Sequence, residues 1–123
     1  MARKKILVVD DSGTARMIEQ MALGRSAYDV VQAKDGAEAV QVARKELPDL
    51  ILMDVTMPRM DGFEACRNIR AQEETRKIPV IMVTTRGEPV SVETGYRSGC
   101  NDYVTKPVDT LELLAKVRSL IGE

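Results

Sequence analysis

The sequence predicts an α/β protein built as a three-layer sandwich, in which a parallel β-sheet lies between two layers of helices. Short apolar runs, such as Ile6 to Val9 and Leu50 to Met53, are typical of strands that are buried on both faces, as the strands of parallel sheets are. Segments with helical periodicity alternate with these runs through short connections. A fivefold β-α repeat of this kind favours a parallel sheet with helices on both faces.

Five segments are predicted to form the strands of this sheet. They are rich in Val, Ile and Leu, and polar or turn-forming residues bound them. The predicted strands are 6–10, 28–33, 50–54, 79–84 and 102–105.

Five helices are predicted between and after the strands. Asp35 with Glu38, and Asp109 with Glu112, have the spacing of a capping box, which marks the start of a helix. Gly95 lies inside the fourth helix and costs it about 0.8–1.0 kcal/mol relative to Ala, so this helix should be the weakest. The predicted helices are near 14–25, 36–46, 62–72, 90–98 and 110–121.

Composition limits the classes of function. The 123 residues are enough for one domain, and the hydrophobic fraction of 44% is enough for one core. The 18 basic and 19 acidic residues nearly cancel, with no basic stripe, so we expect no direct binding of nucleic acid. Cys66 and Cys100 lack metal-site spacing and the chain has no His, which predicts two free thiols. No apolar stretch approaches the ~20 residues of a membrane span, so we expect a cytoplasmic protein.

Polar residues stand where four of the predicted strands end. Asp10 ends the first predicted strand and Asp11 follows it, Asp54 ends the third, and Thr84 and Lys106 stand at the ends of the fourth and fifth. In an open α/β sheet, ligands bind in the crevice beyond the carboxyl ends of the strands. Carboxylates are hard oxygen ligands for a divalent cation, and an ammonium group neutralises a phosphoryl oxygen. The pattern therefore predicts a site for a divalent cation and a phosphoryl group.

Four motifs in this order give the chain a resemblance to a known family. They are VVDDS at 8–12, LMDVTMPRMDG at 52–62, VTT at 83–85 and DYVTKP at 102–107. Across essentially the whole chain, the sequence resembles the receiver domain of bacterial two-component response regulators. The resemblance implies a flavodoxin-like sheet with strand order 2-1-3-4-5 and a single receiver domain over 1–123 without an output domain. It also implies a monomeric, stand-alone regulator of the kind used in chemotaxis and motility switching.

The resemblance implies a role for each polar residue at the strand ends. Asp54 would be the phosphoacceptor, which takes a phosphoryl group from the phosphohistidine of a histidine kinase. Asp10, Asp11, Asp54 and the backbone carbonyl of Thr56 would hold Mg²⁺, with Mn²⁺ as an acceptable substitute. Lys106 would pair with a phosphoryl oxygen. Self-phosphorylation and autodephosphorylation would be the only catalysis, so the chain would be a signalling phosphoacceptor rather than a conventional enzyme.

The resemblance also implies a switch that reports phosphorylation. Thr84 would donate its hydroxyl to the phosphoryl group, and Tyr103 would turn from an outward to an inward rotamer in response. A downstream target would then bind the face formed by the fourth helix, the fifth strand and the fifth helix. The Lys106-Pro107 peptide is expected to be cis, and Val108 stands where many relatives have Phe.

Four other functions are alternatives to this one. A dehalogenase-type phosphatase needs a second Asp two positions after its nucleophile, and this chain has Thr56 there. A flavodoxin-like electron carrier needs phosphate donors after the first strand, where this chain is acidic. A phosphorylation-independent pseudo-receiver usually lacks part of the acidic set, which is complete here. A phosphate sink for a shared kinase would carry the same residues, so it stays open.

Overall fold

The computed structural model describes residues 3–24, 28–85, 93–94 and 96–122, without the side chain of Thr85. In these residues the chain forms five strands and four helices with defined bounds. Of the predicted fourth helix, near 90–98, residues 93–94 and 96–97 are helical, and 90–92 and 95 lie outside the described residues. This stretch is therefore left unnumbered, and the helix predicted as the fifth is numbered α4. The elements are β1 (Lys5–Val9), α1 (Gly13–Leu23), β2 (Asp29–Ala33), α2 (Gly36–Glu46), β3 (Leu50–Asp54), α3 (Gly62–Ala71), β4 (Val80–Thr85), β5 (Asp102–Lys106) and α4 (Thr110–Ile121).

The five strands form one parallel sheet in the order β2-β1-β3-β4-β5. This confirms the predicted fold class and strand order. In the register of the sheet, Asp54 pairs with Val83, and Thr84 pairs with Thr105. The carboxyl ends of β3, β4 and β5 therefore lie nearly level, which brings their polar residues to one edge.

Two apolar cores cover the two faces of the sheet. Leu7 and Val9 belong to the core under α2 and α3, whereas Ile6 and Val8 belong to the core under α1 and α4. Every residue of β3 is buried. This alternation is what a central strand with helices on both faces requires, and it explains why the strands read as continuous apolar runs.

Each of the four described helices begins at a residue whose side chain accepts a hydrogen bond from the backbone N–H three residues later. Such a cap satisfies one of the helix's free donors and stabilises the helix by about 1 kcal/mol. Two of these caps are the ones predicted from the Asp-x-x-Glu spacing. The capping residues are Ser12, Asp35, Asp61 and Asp109.

The bounds of β3, α2 and α4 match the predicted ones, and those of the other elements differ by one or two residues. β1 ends at Val9 rather than Asp10, because the carbonyl of Asp10 accepts a hydrogen bond from Arg16 Nη1 at 2.6 Å instead of one from the sheet. α1 ends at Leu23, two residues early, because Gly24 adopts φ = +84°. A glycine with a positive φ is a common end of a helix. β5 runs one residue further than predicted, to Lys106.

The two cysteines and the lengths of the helices bear on the expectations drawn from composition. Cys66 and Cys100 are both buried and form no disulfide, as predicted. Within the part of the chain that the structure describes, no helix has the length and apolar character that crossing a membrane requires.

Candidate functional site

Three carboxylates meet at the carboxyl edge of the sheet, as the sequence predicts. Asp10 and Asp11 follow β1, and Asp54 is the last residue of β3, its neighbour in the sheet. Asp10 is 1% exposed and Asp54 is 5% exposed, whereas Asp11 lies at the surface. One oxygen from each carboxylate lies within 4.8 Å of the other two. The cluster is therefore buried on one side and open to solvent on the other.

Lys106 is the cation that compensates this cluster. Its Nζ lies 3.0 Å from Oδ2 of Asp10 and 3.4 Å from Oδ1 of Asp54. The Lys106-Pro107 peptide is cis, as expected. The last residue of β5 thus reaches across the ends of β4 and β3 to the residue that follows β1.

Asp10 is held by more than its lysine. Its Oδ1 accepts a hydrogen bond from the backbone N–H of Ser12 at 2.9 Å, while its Oδ2 faces Lys106. Arg16 donates to the carbonyl of Asp10 and also, through Nε, to Oε1 of Gln32 at 2.8 Å. Both oxygens and the backbone of Asp10 are therefore fixed before any ligand arrives.

The cluster shifts the acidity of Asp54. Burial, followed by the charge of Asp10, raises the pKa of Asp54 to about 6, and Lys106 offsets only part of this rise. Burial lowers the pKa of Lys106, but its hydrogen bond to Asp10 and the charge of Asp54 outweigh that effect and raise the pKa overall. At neutral pH the site thus holds an ionised but poorly stabilised Asp54 beside a firmly charged lysine.

Thr84 lies deep in the same edge. It directly follows Val83, the register partner of Asp54, and it is 3% exposed. Its hydroxyl donates to the carbonyl of Val104 on β5 at 3.5 Å, which is long for a hydrogen bond between oxygens. The hydroxyl therefore has a weak partner that it can exchange for a stronger acceptor.

Tyr103 and Thr56 are close in the chain to residues of the cluster, Tyr103 three residues before Lys106 and Thr56 two residues after Asp54. Tyr103, on β5, is half-buried; its ring meets that of Tyr96 edge-on with centroids 5.9 Å apart, and Nζ of Lys116 lies 4.9 Å from its centroid. Thr56 lies in the loop after β3, two residues beyond Asp54, with an exposed side chain. Tyr103 thus packs against Tyr96 and against Lys116 of α4.

The backbone behind Asp54 packs directly against the start of α3. Gly62 donates its N–H to the carbonyl of Val55 at 2.8 Å. A Cβ at Gly62 would lie 2.3 Å from the carbonyl oxygen of Asp54, which is far inside van der Waals contact. Only glycine fits here, so the Gly62 of the second motif positions the phosphoacceptor candidate.

The sequence interpretation missed one residue beside the site. Glu19 of α1 is 2% exposed, and its Oε1 has no hydrogen-bond partner among the described residues. Burial raises its pKa to about 8, with a further rise from Asp10 and Asp54 and an opposing effect of Lys106. The sequence carries one signal of this burial: Glu19 lies four residues before the apolar Leu23, and residues four apart share one face of a helix.

The donors in this cluster suit Mg²⁺. Magnesium prefers oxygen ligands, takes one or two carboxylates and keeps several waters. The cluster offers three carboxylate oxygens within 4.8 Å of one another, and the exposed Asp11 leaves an open side. The residues present therefore fit a magnesium ion.

Comparison with known proteins identifies the family. The profile of the response regulator receiver domain matches residues 6–118, so the chain belongs to that family. The protein PilH of Pseudomonas aeruginosa is 40% identical over 118 residues, which cover 96% of this chain and 98% of PilH. The chain spans about half the length, 46–49%, of the transcriptional regulators among its curated relatives.

Two solved structures share the fold closely. The chemotaxis protein CheY4 of Vibrio cholerae aligns with a TM-score of 0.89 and 34% identity, over 97% of this chain and 99% of that one. The receiver domain of the sensor histidine kinase PA1611 of Pseudomonas aeruginosa aligns with a TM-score of 0.90 and 35% identity, over 99% of this chain and 100% of that one. That receiver has a magnesium ion coordinated in its active site cleft. The predicted family is confirmed: the chain is a two-component receiver domain.

Proposed function

We propose that this receiver is phosphorylated on Asp54 by a histidine kinase and signals through its surface. The observation that carries the proposal is the bridge of Lys106 between Asp10 and Asp54 at the open edge of the sheet. A buried structural ion pair would not require a third carboxylate, Asp11, at the same edge with its side chain exposed to solvent.

Asp54 supplies the nucleophile. A carboxylate oxygen of Asp54 forms a bond to phosphorus while the phosphorus–nitrogen bond of the donor phosphohistidine breaks, and the electron pair of that bond stays on the imidazole. A pKa of about 6 leaves Asp54 mostly ionised at neutral pH, as a nucleophile must be. The ammonium group of Lys106 can pair with an oxygen of the new acyl phosphate instead of with the carboxylates, because its Nζ already lies 3.4 Å from Oδ1 of Asp54.

The metal would be held by the acidic residues. Asp10, Asp11, Asp54 and the carbonyl of Thr56 are the candidate ligands, and Mn²⁺ is an acceptable substitute for Mg²⁺. When bound, the metal ion neutralises negative charge on the phosphoryl oxygens. The chain itself fixes the Asp10 carboxylate through the backbone N–H of Ser12. It also leaves the Asp11 carboxylate open to solvent, where a hydrated ion can reach it.

Labelling with a small phosphodonor tests this chemistry. Incubation with acetyl phosphate and Mg²⁺ should add one phosphoryl group that hydroxylamine removes, as it removes an acyl phosphate. EDTA should prevent the modification, and so should Asp54→Asn. Asp49→Asn is the matched control, since Asp49 caps the N–H of Lys5 away from the site and its loss should leave labelling intact. Labelling that persists in EDTA would refute the proposal.

The output surface is proposed to include β5 and α4. Phosphoryl oxygens on Asp54 would give the Thr84 hydroxyl a charged acceptor in place of the weak bond to Val104. Movement of Thr84 would then change the packing of Tyr103, whose ring contacts Tyr96 and Lys116. Lys116 also donates to the carbonyl of Tyr103 and pairs with Asp102 at 3.2 Å. The change in Tyr103 would thereby reach α4, and a downstream target would bind this face.

Thr84→Ala separates phosphorylation from output. The variant should still be labelled on Asp54, but beryllofluoride, a phosphoryl mimic, should no longer shift the amide resonances of β5 and α4. In the unsubstituted protein those shifts should extend to Tyr103 and Lys116. Thr75→Ala is the control, because Thr75 is an equally buried threonine that bonds the carbonyl of Ile69 instead. Normal shifts of β5 and α4 in Thr84→Ala would contradict the switch.

The chemotaxis or motility role is supported by the relatives. CheY4 is a chemotaxis protein by name, and it aligns with this chain over nearly the full length of both. We propose that this receiver likewise acts by binding a separate target. The pathway would be established by a target protein that copurifies with the phosphorylated receiver but not with the unphosphorylated one. A phosphate sink would be labelled on Asp54 without binding such a target.

A further inference from the structure

A cavity of about 150 Å³ lies beside the carboxylate cluster. It is bounded by α1 on one side and by the loop after β5 on the other. Its walls are mostly aliphatic, with a carboxyl group and an ammonium group among them. The lining residues are Ala15, Ile18, Glu19, Lys106, Pro107 and Val108.

The carboxyl group in this cavity is a buried polar group without a protein partner. Glu19 is 2% exposed, and its Oε1 finds no hydrogen-bond partner among the described residues. Buried polar atoms are nearly always hydrogen-bonded, and one that is not requires an explanation. A ligand in the cavity would supply the missing partner.

The surroundings of Glu19 define the chemistry of such a ligand. Burial and the nearby charges of Asp10 and Asp54 raise the pKa of Glu19 to about 8, so at neutral pH the carboxyl group is largely protonated. A neutral carboxyl offers one donor and one acceptor and attracts no cation. Lys106 lines the same cavity and would repel a cationic ligand. The remaining walls are apolar.

We propose that this cavity binds a small neutral molecule that is apolar apart from one hydroxyl group, with the hydroxyl on Glu19. A cavity of about this volume with apolar walls holds a benzene-sized ring, so phenol represents the class. The ligand would contact Lys106, the side chain that also pairs with Asp10 and Asp54. Binding itself needs neither metal nor phosphorylation, so its test is independent of the proposed phosphoacceptor function.

Titration with phenol and with toluene, followed by amide resonances in EDTA, tests the proposal. Phenol should bind saturably and shift the amides of Ala15, Ile18 and Val108. Glu19→Met replaces the carboxyl group with an apolar side chain of similar size. Phenol should then bind about tenfold more weakly, because it loses one good hydrogen bond. Toluene, which makes no such bond, should bind at least as well as to the unsubstituted protein. Ala15→Leu, which fills the cavity from α1, should abolish binding of both.

Gln72→Met is the matched control. Gln72 carries the other buried oxygen without a partner in the described residues, and it lies at the end of α3, so its loss should change neither affinity. Equal phenol binding by the unsubstituted protein and Glu19→Met would overturn the proposal. Phenol shifts located elsewhere, or no saturable binding, would also overturn it.

Discussion

The ammonium nitrogen of Lys106 lies 3.0 Å from Oδ2 of Asp10, a residue 96 positions earlier in the chain. This contact is shorter than the 3.4 Å between Lys106 and Asp54. Because Asp10 also accepts from the backbone of Ser12, it is the better compensated carboxylate. Asp54 is left with a raised pKa and a weaker partner, which suits a residue that must react.

Removal of this lysine should destabilise the metal-free protein. In Lys106→Met, the buried Asp10 and Asp54 would lose their shared cation. Because Lys106 is itself 36% exposed, we expect a loss of about 1–3 kcal/mol at neutral pH in EDTA rather than the larger cost of breaking a fully buried pair. Mg²⁺ should restore more stability to the variant than it adds to the unsubstituted protein. Urea unfolding with and without Mg²⁺ measures both effects.

Lys116→Met controls for the loss of a lysine as such. Lys116 also pairs with two carboxylates, Asp102 and Glu112, but on β5 and α4 away from the cluster. Its substitution should leave the Mg²⁺ response unchanged. An unchanged response in Lys106→Met as well would show that the lysine does not compensate the metal site.

Asp54→Asn should stabilise the metal-free protein. The native pKa of about 6 lies above the ordinary 3.8, so ionisation of Asp54 opposes folding. Stability contributed by this group therefore falls as pH rises from about 4 to about 6, and asparagine removes that loss. We expect a gain on the order of 1–3 kcal/mol at neutral pH, measured by urea unfolding in EDTA. A variant less stable than the unsubstituted protein would mean that the carboxylates do not repel one another.

Gly62→Ala should damage both stability and the site. The added Cβ would lie 2.3 Å from the carbonyl oxygen of Asp54, so either α3 or the end of β3 must move. We expect a loss of about 1–3 kcal/mol, as for other overpacked positions, and slower labelling by acetyl phosphate. Gly13→Ala is the control at the start of α1, where an added Cβ would lie 3.5 Å from Nη2 of Arg16, the end of a flexible side chain. Equal behaviour of the two variants would contradict the close packing of Gly62.

Glu19 should make the free energy of unfolding fall as the pH rises from mildly acidic to mildly basic values. Its pKa is about 8 in the folded protein and 4.5 by default, so the folded state binds more protons between these values. Stability should then fall as pH rises through this window, and Glu19→Gln should remove that slope. The variant's advantage should reach on the order of 2–4 kcal/mol at the upper end. Glu74→Gln, at an exposed glutamate, should leave the slope unchanged.

The prediction for Glu19 would be contradicted if the melting temperatures of the unsubstituted protein and of Glu19→Gln changed in parallel between about pH 5 and pH 8. That result would mean that the carboxyl is solvated or ionised in the folded state. Thermal unfolding across this pH range, in buffers without divalent cations, makes the comparison.

The edge of the sheet could be predicted because it follows from two simple rules. Apolar runs mark buried parallel strands, and the polar residues that follow them must meet at one edge, which places Asp10, Asp54 and Lys106 together. Which carboxylate Lys106 prefers depends on side-chain geometry, and so could not be predicted. Glu19 was missed because a glutamate in a helix is by default at the surface, and only packing against the cluster shows that it is buried.

Mapping the phosphorylated residue tests the central claim most directly. Protein labelled with acetyl phosphate and Mg²⁺ is reduced with borohydride, which converts an aspartyl phosphate to homoserine, and is then digested and sequenced by mass spectrometry. Homoserine should replace Asp54 and no other aspartate, and it should be absent when EDTA accompanies the phosphodonor. Homoserine at Asp10 or Asp11, or phosphate retained on a serine or threonine with Asp54 intact, would contradict the assignment of Asp54 as the phosphoacceptor.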